Sequence, residues 1–182
     1  MTEPRSPQPT LTDGVITLRP WRPDDAQAVF EACQDPEIAR FIPIPQPYRL
    51  EDGAWFVAHA AEESAAGPSA HFAIVDALTD RLLGSISRHG PNGHRAMIGY
   101  WVAAEARGRG VATRAVRLLV DWTMATTDVI RLELYTDVAN ERSGRVALRA
   151  GFELEGIRRA WDLDRAGRPI DAAFYVLLRL PG

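Results

Sequence analysis

The sequence predicts one mixed α/β domain built on a largely antiparallel sheet. A chain of 182 residues, 46% hydrophobic and 25% charged, is long enough for one buried core and has the composition of a globular protein. Several segments with strand patterns are separated by short turns that suit hairpins. Residues 100–122 then combine the end of a strand, a glycine-rich turn and a helix, and the other elements are arranged around them.

The N-terminal segment combines a predicted tail with a first strand. Residues 1–13 are rich in proline and poor in apolar side chains, which predicts a disordered tail before a single domain over residues 14–182. Val15–Arg19 then alternates apolar and polar residues, which is the pattern of a strand. Neither an internal repeat nor an interdomain linker is evident in the rest of the sequence.

Two helices and a proline-rich loop are predicted next. Pro23 and the acids after it indicate a helix start, and that helix is expected to end near Gln34, before Asp35-Pro36. Phe41–Tyr48 has proline at every second position, which is incompatible with a helix or a central strand. This extended loop is either a connector or one wall of a substrate groove. Glu51–Ser64 reads as the second helix.

A predicted meander of three strands leads to the central helix. Glycine, proline and asparagine in residues 89–94 favour a hairpin turn between the second and third of these strands. Val111, Ala115, Leu118 and Trp122 recur at helical spacing, so one face of the central helix should be buried. The meander strands are predicted at His71–Val75, Leu82–Arg88 and Arg95–Ala103.

The C-terminal part adds a strand, a short helix and a hairpin. Ile130–Thr136 has apolar residues on one face, and Glu141–Ala150 is a helical segment that Gly151 ends. The hairpin comprises strands over Phe152–Trp161 and Ala172–Arg179 with a loop over Asp162–Asp171.

Composition excludes several kinds of chemistry. All 21 basic residues are arginine, so the chain has no lysine for a P-loop or a Schiff base. Cys33 is the single cysteine; it is expected to be a small core residue, and it excludes an intrachain disulfide. The net charge of −3 gives no general attraction to nucleic acid. Neither a signal peptide nor a membrane-spanning apolar run is evident, so we expect a cytoplasmic protein without a membrane partner.

The turn at residues 107–112 brings glycine and arginine together at a helix start. The first N–H groups of a helix lack partners, and the helix dipole favours anions there. Gly108 and Gly110 allow a ligand to approach the backbone, and Arg107 and Arg109 flank Gly108. The segment is either a tight strand-to-helix turn or a phosphate cradle, and the coincidence of glycine with arginine favours the cradle.

Two other kinds of ligand are disfavoured. A dinucleotide fingerprint would need a third glycine where Thr113 stands, and it would follow the first strand of a βαβ unit rather than a meander. His89 and His94 flank a turn without an evident third ligand, so no metal site is expected.

Two motifs resemble the GNAT superfamily of acyl-CoA-dependent N-acyltransferases, and the similarity extends from about residue 14 to residue 179. The first, Arg107-Gly108-Arg109-Gly110-Val111-Ala112, is similar to (Gln/Arg)-x-x-Gly-x-(Gly/Ala). The second is Asn140 followed by Gly151-Phe152. The segment IGYWV before the turn, Ser143 three residues after Asn140, and Gly167 and Asp171 resemble the RimJ/RimL-type, ribosomal-protein-alanine acetyltransferase-like branch. This resemblance implies the GNAT fold, with splayed central strands and flanking helices.

The resemblance also implies acetyl-CoA as co-substrate. The turn would hold its pyrophosphate, and the pantetheine arm would lie between the strands Ile98–Ala103 and Ile130–Thr136. A backbone N–H near Trp101 or Val102 would stabilise the oxyanion, a contribution of roughly 3–4 kcal/mol. Asn140 would bond the pantetheine or nearby backbone, and Arg145 or Arg149 would reach the adenosine. The implied binding residues are Trp101, Val102, Arg107, Gly108, Arg109, Gly110, Val111, Ala112, Thr113, Asn140 and Arg145.

The catalytic residues are less clearly implied. Many superfamily members have a tyrosine acid seven residues after the asparagine, but Ala147 stands there. Ser143, one helical turn after Asn140, is the residue that we expect to replace this tyrosine as the acid. The alternative is that its hydroxyl only caps the helix. Some members have a glutamate base five residues before the asparagine; Tyr135 stands there, and Glu133 lies two residues earlier on the same strand face. Either can be the base or a structural residue.

The sequence therefore predicts transfer of an acetyl group to a primary amine of a peptide or small molecule, by a possible homodimer. The alternative is an acyl-CoA sensor without turnover. A groove between Phe41–Tyr48 and the Asp162–Asp171 hairpin would select the acceptor, with Asp162, Asp164 and Asp171 either attracting a cation or merely solvated. Trp21, Trp55 and Trp161 are either packing residues or an acceptor pocket.

Overall fold

The computed structural model describes residues 8–179, which form a mixed α/β fold around one open sheet. The strands are β1 (Leu11–Thr12), β2 (Ile16–Arg19), β3 (Ala70–Asp76), β4 (Leu82–Asn92), β5 (Arg95–Val102), β6 (Arg131–Asp137), β7 (Glu153–Leu163) and β8 (Pro169–Leu178). The helices are α1 (Ala26–Ala32), α2 (Pro36–Phe41), α3 (Leu50–Ala66), α4 (Val111–Thr126) and α5 (Glu141–Arg149), with 3-10 turns at Pro23–Asp25 and Ala104–Ala106. The predicted fold class is confirmed.

The sheet is antiparallel except at its centre. Within the described residues it has eight strands in the order β1-β2-β3-β4-β5-β6-β8-β7. β5 and β6 are parallel, and every other neighbouring pair is antiparallel. The predicted meander and C-terminal hairpin are both present. Between residues 8 and 179, no helix is both long and apolar enough to cross a bilayer.

The ordered chain begins earlier than the sequence predicts. Leu11 and Thr12 pair with Leu18 and Thr17, and the Gln8 side chain donates a 2.8 Å hydrogen bond to the His71 carbonyl. The expected tail boundary at residue 13 is therefore wrong, because a strand lies before it. Residues 1–7 of the predicted tail lie outside the described residues.

A helix that the sequence analysis missed follows α1. α1 ends at Ala32, before the expected Gln34, and Asp35 then caps α2 by accepting the Glu37 N–H at 2.9 Å. Pro36 takes the first helical position, where its missing N–H costs nothing. Phe41, expected in the proline-rich loop, is the last residue of α2.

Two hydrophobic clusters cover opposite faces of the sheet. α4 and α5 pack on one face, where Val111 and Ala115 are buried as predicted, while Leu118 and Trp122 lie at the margin of that cluster. α1, α2 and α3 pack on the other face. Cys33 is 4% exposed in that second cluster, which confirms its place in the core. Burial raises the pKa of its thiol to about 11, so it is not a reactive nucleophile at neutral pH.

The central strands diverge as the resemblance implied. Arg95–Met97 of β5 pairs with Arg131–Glu133 of β6. Beyond this point β5 stays paired with β4, and β6 with β8, so a split opens between them. We call this gap the split.

Both predicted hairpin loops are shorter than expected. β4 continues to Asn92, so the turn predicted over residues 89–94 contracts to Gly93-His94. Pairing between Leu163 and Pro169 shortens the terminal loop to residues 164–168. Asp164 closes this loop by accepting the N–H groups of Ala166 and Arg168 at 2.8 and 2.9 Å.

Candidate active site

The split opens into a cleft of about 540 Å³ bounded by α2, α4 and α5. Ten of the residues expected to bind a cofactor line this cleft. They are Trp101, Val102, Arg107, Gly108, Gly110, Val111, Ala112, Thr113, Asn140 and Arg145. Arg109 does not line the cleft; its side chain is exposed outside it.

The turn before α4 presents backbone donors without partners. Gly108 and Gly110 have φ angles of +73° and +78°, and no atom lies within 4 Å of a Cβ built on either. The first helical hydrogen bond runs from the Arg114 N–H to the Gly110 carbonyl, at 3.1 Å. Within the described residues, the N–H groups of Val111, Ala112 and Thr113 donate to no acceptor. The segment is therefore built to receive an anion at the positive end of a 16-residue helix.

Arg107 supports this turn rather than projecting freely into the cleft. Its guanidinium forms salt bridges with Asp35 and, at 3.0 Å, with Glu37, and its Nε donates to the Val102 carbonyl at 3.1 Å. Glu37 also pairs with Arg142 of α5 at 3.0 Å. Glu37 therefore places a carboxylate on the cleft wall and joins α2 to both other walls.

Asn140 and Ser143 have separate tasks at the start of α5. The Asn140 side chain caps the helix by accepting the Ser143 N–H at 3.2 Å. The Ser143 hydroxyl is not the cap; it lies 2.9 Å from the Tyr100 hydroxyl on β5. Ala147, the position of the usual tyrosine acid, is fully buried beside the helix core. Ser143 is consequently the hydroxyl that α5 presents where β5 and β6 separate.

Backbone direction distinguishes Val102 from Trp101. The Val102 carbonyl faces the split, where Arg107 donates to it, whereas the Ala103 N–H bonds the Leu83 carbonyl of β4. Backbone groups alternate in direction along a strand. Trp101 therefore turns its N–H toward β4, and Val102 is the better candidate for the predicted oxyanion donor.

The two predicted bases lie away from the cleft wall. Glu133 accepts a 2.7 Å hydrogen bond from Arg131, which also pairs with Glu155. Tyr135 stacks on Phe174, with ring centroids 5.2 Å apart. Both side chains share the sheet face opposite α4 and α5, as the strand period predicted. Their role as base stays a prediction.

A surface that we call the hairpin trough lies on that same face, between α2 with residues 42–49 and the β7–β8 hairpin. Arg165 at the hairpin tip donates to the carbonyls of Ala39, Ile42 and Ile44, which brings the two sides together. Of the three predicted pocket tryptophans, Trp161 lies here. Trp21 is buried against Phe56, and Trp55 stacks on His59, so the three do not form one pocket.

Sequence reasoning missed Tyr100, Glu37 and Arg142, which all line the cleft. Glu37 was missed together with α2. Asp35-Pro36-Glu37 is a helix-start signal, with a capping acid, proline at the first position and an acid in the first turn. The sequence analysis used Pro36 only as the end of the preceding helix. Tyr100 carried no signal beyond its place in a strand.

A family model described as the acetyltransferase (GNAT) domain matches residues 16–153. The chain belongs to the GNAT acetyltransferase family. The uncharacterized N-acetyltransferase p20 of Bacillus licheniformis is 27% identical over 93% of this chain and 96% of that protein. The ribosomal-protein-serine acetyltransferase of Escherichia coli K12 is 37% identical over 42% of this chain and 44% of that protein.

Solved structures give the same fold. RimL, a ribosomal L7/L12 alpha-N-protein acetyltransferase solved in complex with coenzyme A, superposes with a TM-score of 0.85 at 20% identity, covering 93% of this chain and 98% of that one. The family model and the relatives named above are those of N-acetyltransferases, so this GNAT chain is an acetyl-CoA-dependent N-acetyltransferase.

The cleft of this GNAT acetyltransferase suits coenzyme A. The turn before α4 offers unpaired N–H donors and open space beside two glycines, which fits a pyrophosphate. Arg142, Arg145 and Arg149 line the α5 wall and add positive charge for further phosphate oxygens. Acetyl-CoA, when bound there, would supply the activated acetyl group as its thioester.

Proposed function

We propose that this chain acetylates a primary amine, which attacks the thioester of acetyl-CoA directly without a covalent enzyme intermediate. The observation that carries the proposal is one continuous cleft, which joins the anion cradle at α4 to the split where Tyr100 and Ser143 meet. Direct attack is supported by Cys33, because its buried thiol is unsuited to act as a nucleophile.

In this proposal each cleft residue has one task. The N–H groups at the start of α4 hold the pyrophosphate, and the Val102 N–H binds the thioester oxygen. Asn140 fixes the first turn of α5, so that Ser143 can give a proton to the departing thiolate. Glu133 and Tyr135 remain the proposed bases for the ammonium, acting directly or through a water.

The acceptor is proposed to approach through the hairpin trough, between α2 and the β7–β8 hairpin. The hairpin acids accept hydrogen bonds from their own hairpin, and their attraction of a cation stays a prediction. Asp162 accepts the Leu163 N–H, and Asp171 accepts the Ala160 N–H, both within hydrogen-bond distance. Similar proteins include a ribosomal-protein-serine acetyltransferase and a spermidine N(1)-acetyltransferase, so a peptide end or a small-molecule amine is the proposed class.

Thermal unfolding with added ligands tests the donor half of this proposal. Acetyl-CoA at about a hundred times its Kd should stabilise the fold by roughly 2.7 kcal/mol, and NAD should not raise the melting temperature. Thiol release from acetyl-CoA with a panel of amines then tests turnover. Stabilisation by acetyl-CoA without turnover of any amine would favour the sensor alternative, and a chain that acetyl-CoA does not stabilise would contradict the proposal.

A further inference from the structure

A salt bridge joins two walls of the cleft at its surface. On α5, the Nη1 atom of Arg142 lies 3.0 and 3.3 Å from the two carboxylate oxygens of Glu37 on α2. Both residues line the cleft, and they lie 105 positions apart along the chain. The pair therefore connects two helices that come together only in the folded protein.

A smaller cavity lies on the other side of this pair. It has a volume of about 200 Å³ and shares five lining residues with the cleft, among them Glu37 and Arg142. We call it the outer pocket, and its remaining lining residues are Arg40, Ala139 and Glu141. Since both members of the pair line both cavities, the salt bridge forms part of the partition between them.

The salt bridge can open without moving either helix. Its two side chains are 68% and 40% exposed, and exposed ion pairs contribute little to stability. α2 is held independently, because Ile38 is buried in the core and Asp35 pairs with Arg107. α5 is held by Ala147, which is fully buried. Opening therefore requires only that the Arg142 side chain swings toward the outer pocket, a rotamer change that exposed side chains make within nanoseconds.

We propose that the Glu37–Arg142 pair is a latch, closed across the cleft in the free chain, which acetyl-CoA displaces on entry. The free chain then accepts the coenzyme only during the fraction of time in which the latch is open. The phosphates of the coenzyme compete with Glu37 for Arg142, so binding favours the open form. The inference rests on the proposed function, since the ligand is the acetyl donor of that reaction.

Removal of both partners separates a latch from a charge that merely lines the cleft. Glu37→Gln combined with Arg142→Gln leaves the net charge of the pair at zero, so the long-range attraction of an anionic coenzyme is unchanged. Loss of Arg142 as a phosphate ligand acts mainly on the dissociation rate constant. Faster association in this double variant is therefore the effect that a latch predicts and a phosphate ligand alone does not.

Stopped-flow mixing of the full chain with coenzyme A measures the association rate constant at low and at high salt. Tryptophan fluorescence follows binding, because Trp101 lines the cleft. The control is the double variant Glu141→Gln with Arg145→Gln, which removes an ion pair of 3.2 Å whose two members both lie on α5. Circular dichroism of each variant excludes a change caused by unfolding.

The association rate constant should rise about fivefold in Glu37→Gln/Arg142→Gln at low salt, which is the gain expected when an exposed ion pair no longer closes the site. The gain should shrink at high salt, because salt already weakens the latch in the wild-type chain. The control should show no rise. The latch is overturned if association is no faster in the test variant than in the wild-type chain, or if the control gains as much.

Binding of coenzyme A to the wild-type chain is measured first by calorimetry. A chain that binds coenzyme A, and whose test variant associates no faster, loses the latch and keeps the proposed function. A chain that does not bind coenzyme A loses the proposed function, and the latch with it.

Discussion

The hydroxyl of Tyr100 on β5 lies 2.9 Å from the hydroxyl of Ser143 on α5, so one hydrogen bond crosses the mouth of the split. Burial raises the pKa of Tyr100 to about 12, which keeps its phenol protonated at neutral pH. Tyr100 can therefore donate to Ser143, which leaves the serine proton directed toward the cleft.

Removing the serine hydroxyl should slow acetyl transfer more than it weakens substrate binding. We expect Ser143→Ala to lower kcat about ten- to a hundredfold, because a positioned proton donor to the thiolate is lost. Tyr100→Phe should lower kcat by less, since it removes only the orientation of that donor. Steady-state thiol release measures both constants, and Ser143→Thr, which keeps a hydroxyl, should restore most of the rate. An unchanged kcat in Ser143→Ala would remove Ser143 from the chemistry.

The cradle can be tested with two glycines that share a backbone conformation. Gly110 and Gly14 have φ angles of +78° and +82°, and a Cβ would meet no atom within 4 Å at either. Alanine at either position should lower the free energy of unfolding by roughly 1–2 kcal/mol. Only Gly110→Ala should also weaken binding of coenzyme A, because only Gly110 lines the cleft. Chemical denaturation and calorimetry report the two effects, and equal affinity in both variants would contradict an anion cradle at this turn.

Neutralising Glu37 should tighten binding of coenzyme A. Its carboxylate lies on the cleft wall and pairs with Arg107 and Arg142, so Glu37→Gln removes a negative charge and releases Arg142 for phosphates, while Arg107 keeps its salt bridge with Asp35. The expected gain is about 1 kcal/mol at low salt, or about fivefold in Kd, and it should shrink at high salt. Glu62→Gln, at an exposed site on α3, is the control. Weaker binding in Glu37→Gln would show that the carboxylate mainly holds α2 in place.

The base can be assigned by comparing two side chains on one strand face. We expect Tyr135→Phe or Glu133→Gln to lower kcat/KM at neutral pH and to shift the acidic limb of its pH profile. Glu133→Gln also weakens the salt bridge with Arg131. The melting temperature of this variant is therefore needed to separate a loss of stability from a loss of the catalytic base. If both variants keep the wild-type pH profile, the base lies elsewhere or is water.

Stability should fall at mildly acidic pH because of His71. Burial lowers the pKa of this imidazole below 6.5, and the nearby charges are those of His89, Glu63 and His59. The unfolded chain therefore takes up the proton first, and the free energy of unfolding decreases as the pH falls from about 6.5 through the folded pKa. Denaturation from pH 7.5 to pH 5 should show this slope. His71→Gln should reduce this slope without abolishing it, because burial lowers the pKa of His89 as well. His94→Gln, at an exposed turn, is the control, and a wild-type slope in His71→Gln would contradict this origin.

Local signals were sufficient for most of the fold. The alternation of apolar and polar residues, the residues of the hairpin turns and the helical spacing from Val111 each predicted an element close to its observed bounds. The errors occurred where one signal has two meanings. Asp35-Pro36 both ends one helix and starts the next, and β1 was missed because two residues carry no periodic pattern.

The candidate site was predictable only where the backbone makes it. The turn from Gly108 to Thr113 offers backbone N–H groups through its conformation. The glycines of the turn predict that conformation from the local sequence. Pairs such as Tyr100 with Ser143, or Arg107 with Glu37, join segments that are 43 and 70 residues apart along the chain. No local pattern specifies such a pair, because it depends on how strands and helices pack.

Helix α2 has six residues. One of its ends lies at the donor cleft and the other at the hairpin trough. Near its start, Glu37 holds Arg107 and Arg142 at the donor cleft, and near its end the carbonyls of Ala39 and Ile42 hold Arg165 of the hairpin. If the acceptor displaces the hairpin, as the proposed function allows, we expect the position of Glu37 on the cleft wall to change as well. By thermodynamic linkage, if the first substrate changes the affinity for the second by some factor, the second substrate changes the affinity for the first by the same factor. We therefore expect binding of one substrate to change the affinity for the other through the position of α2.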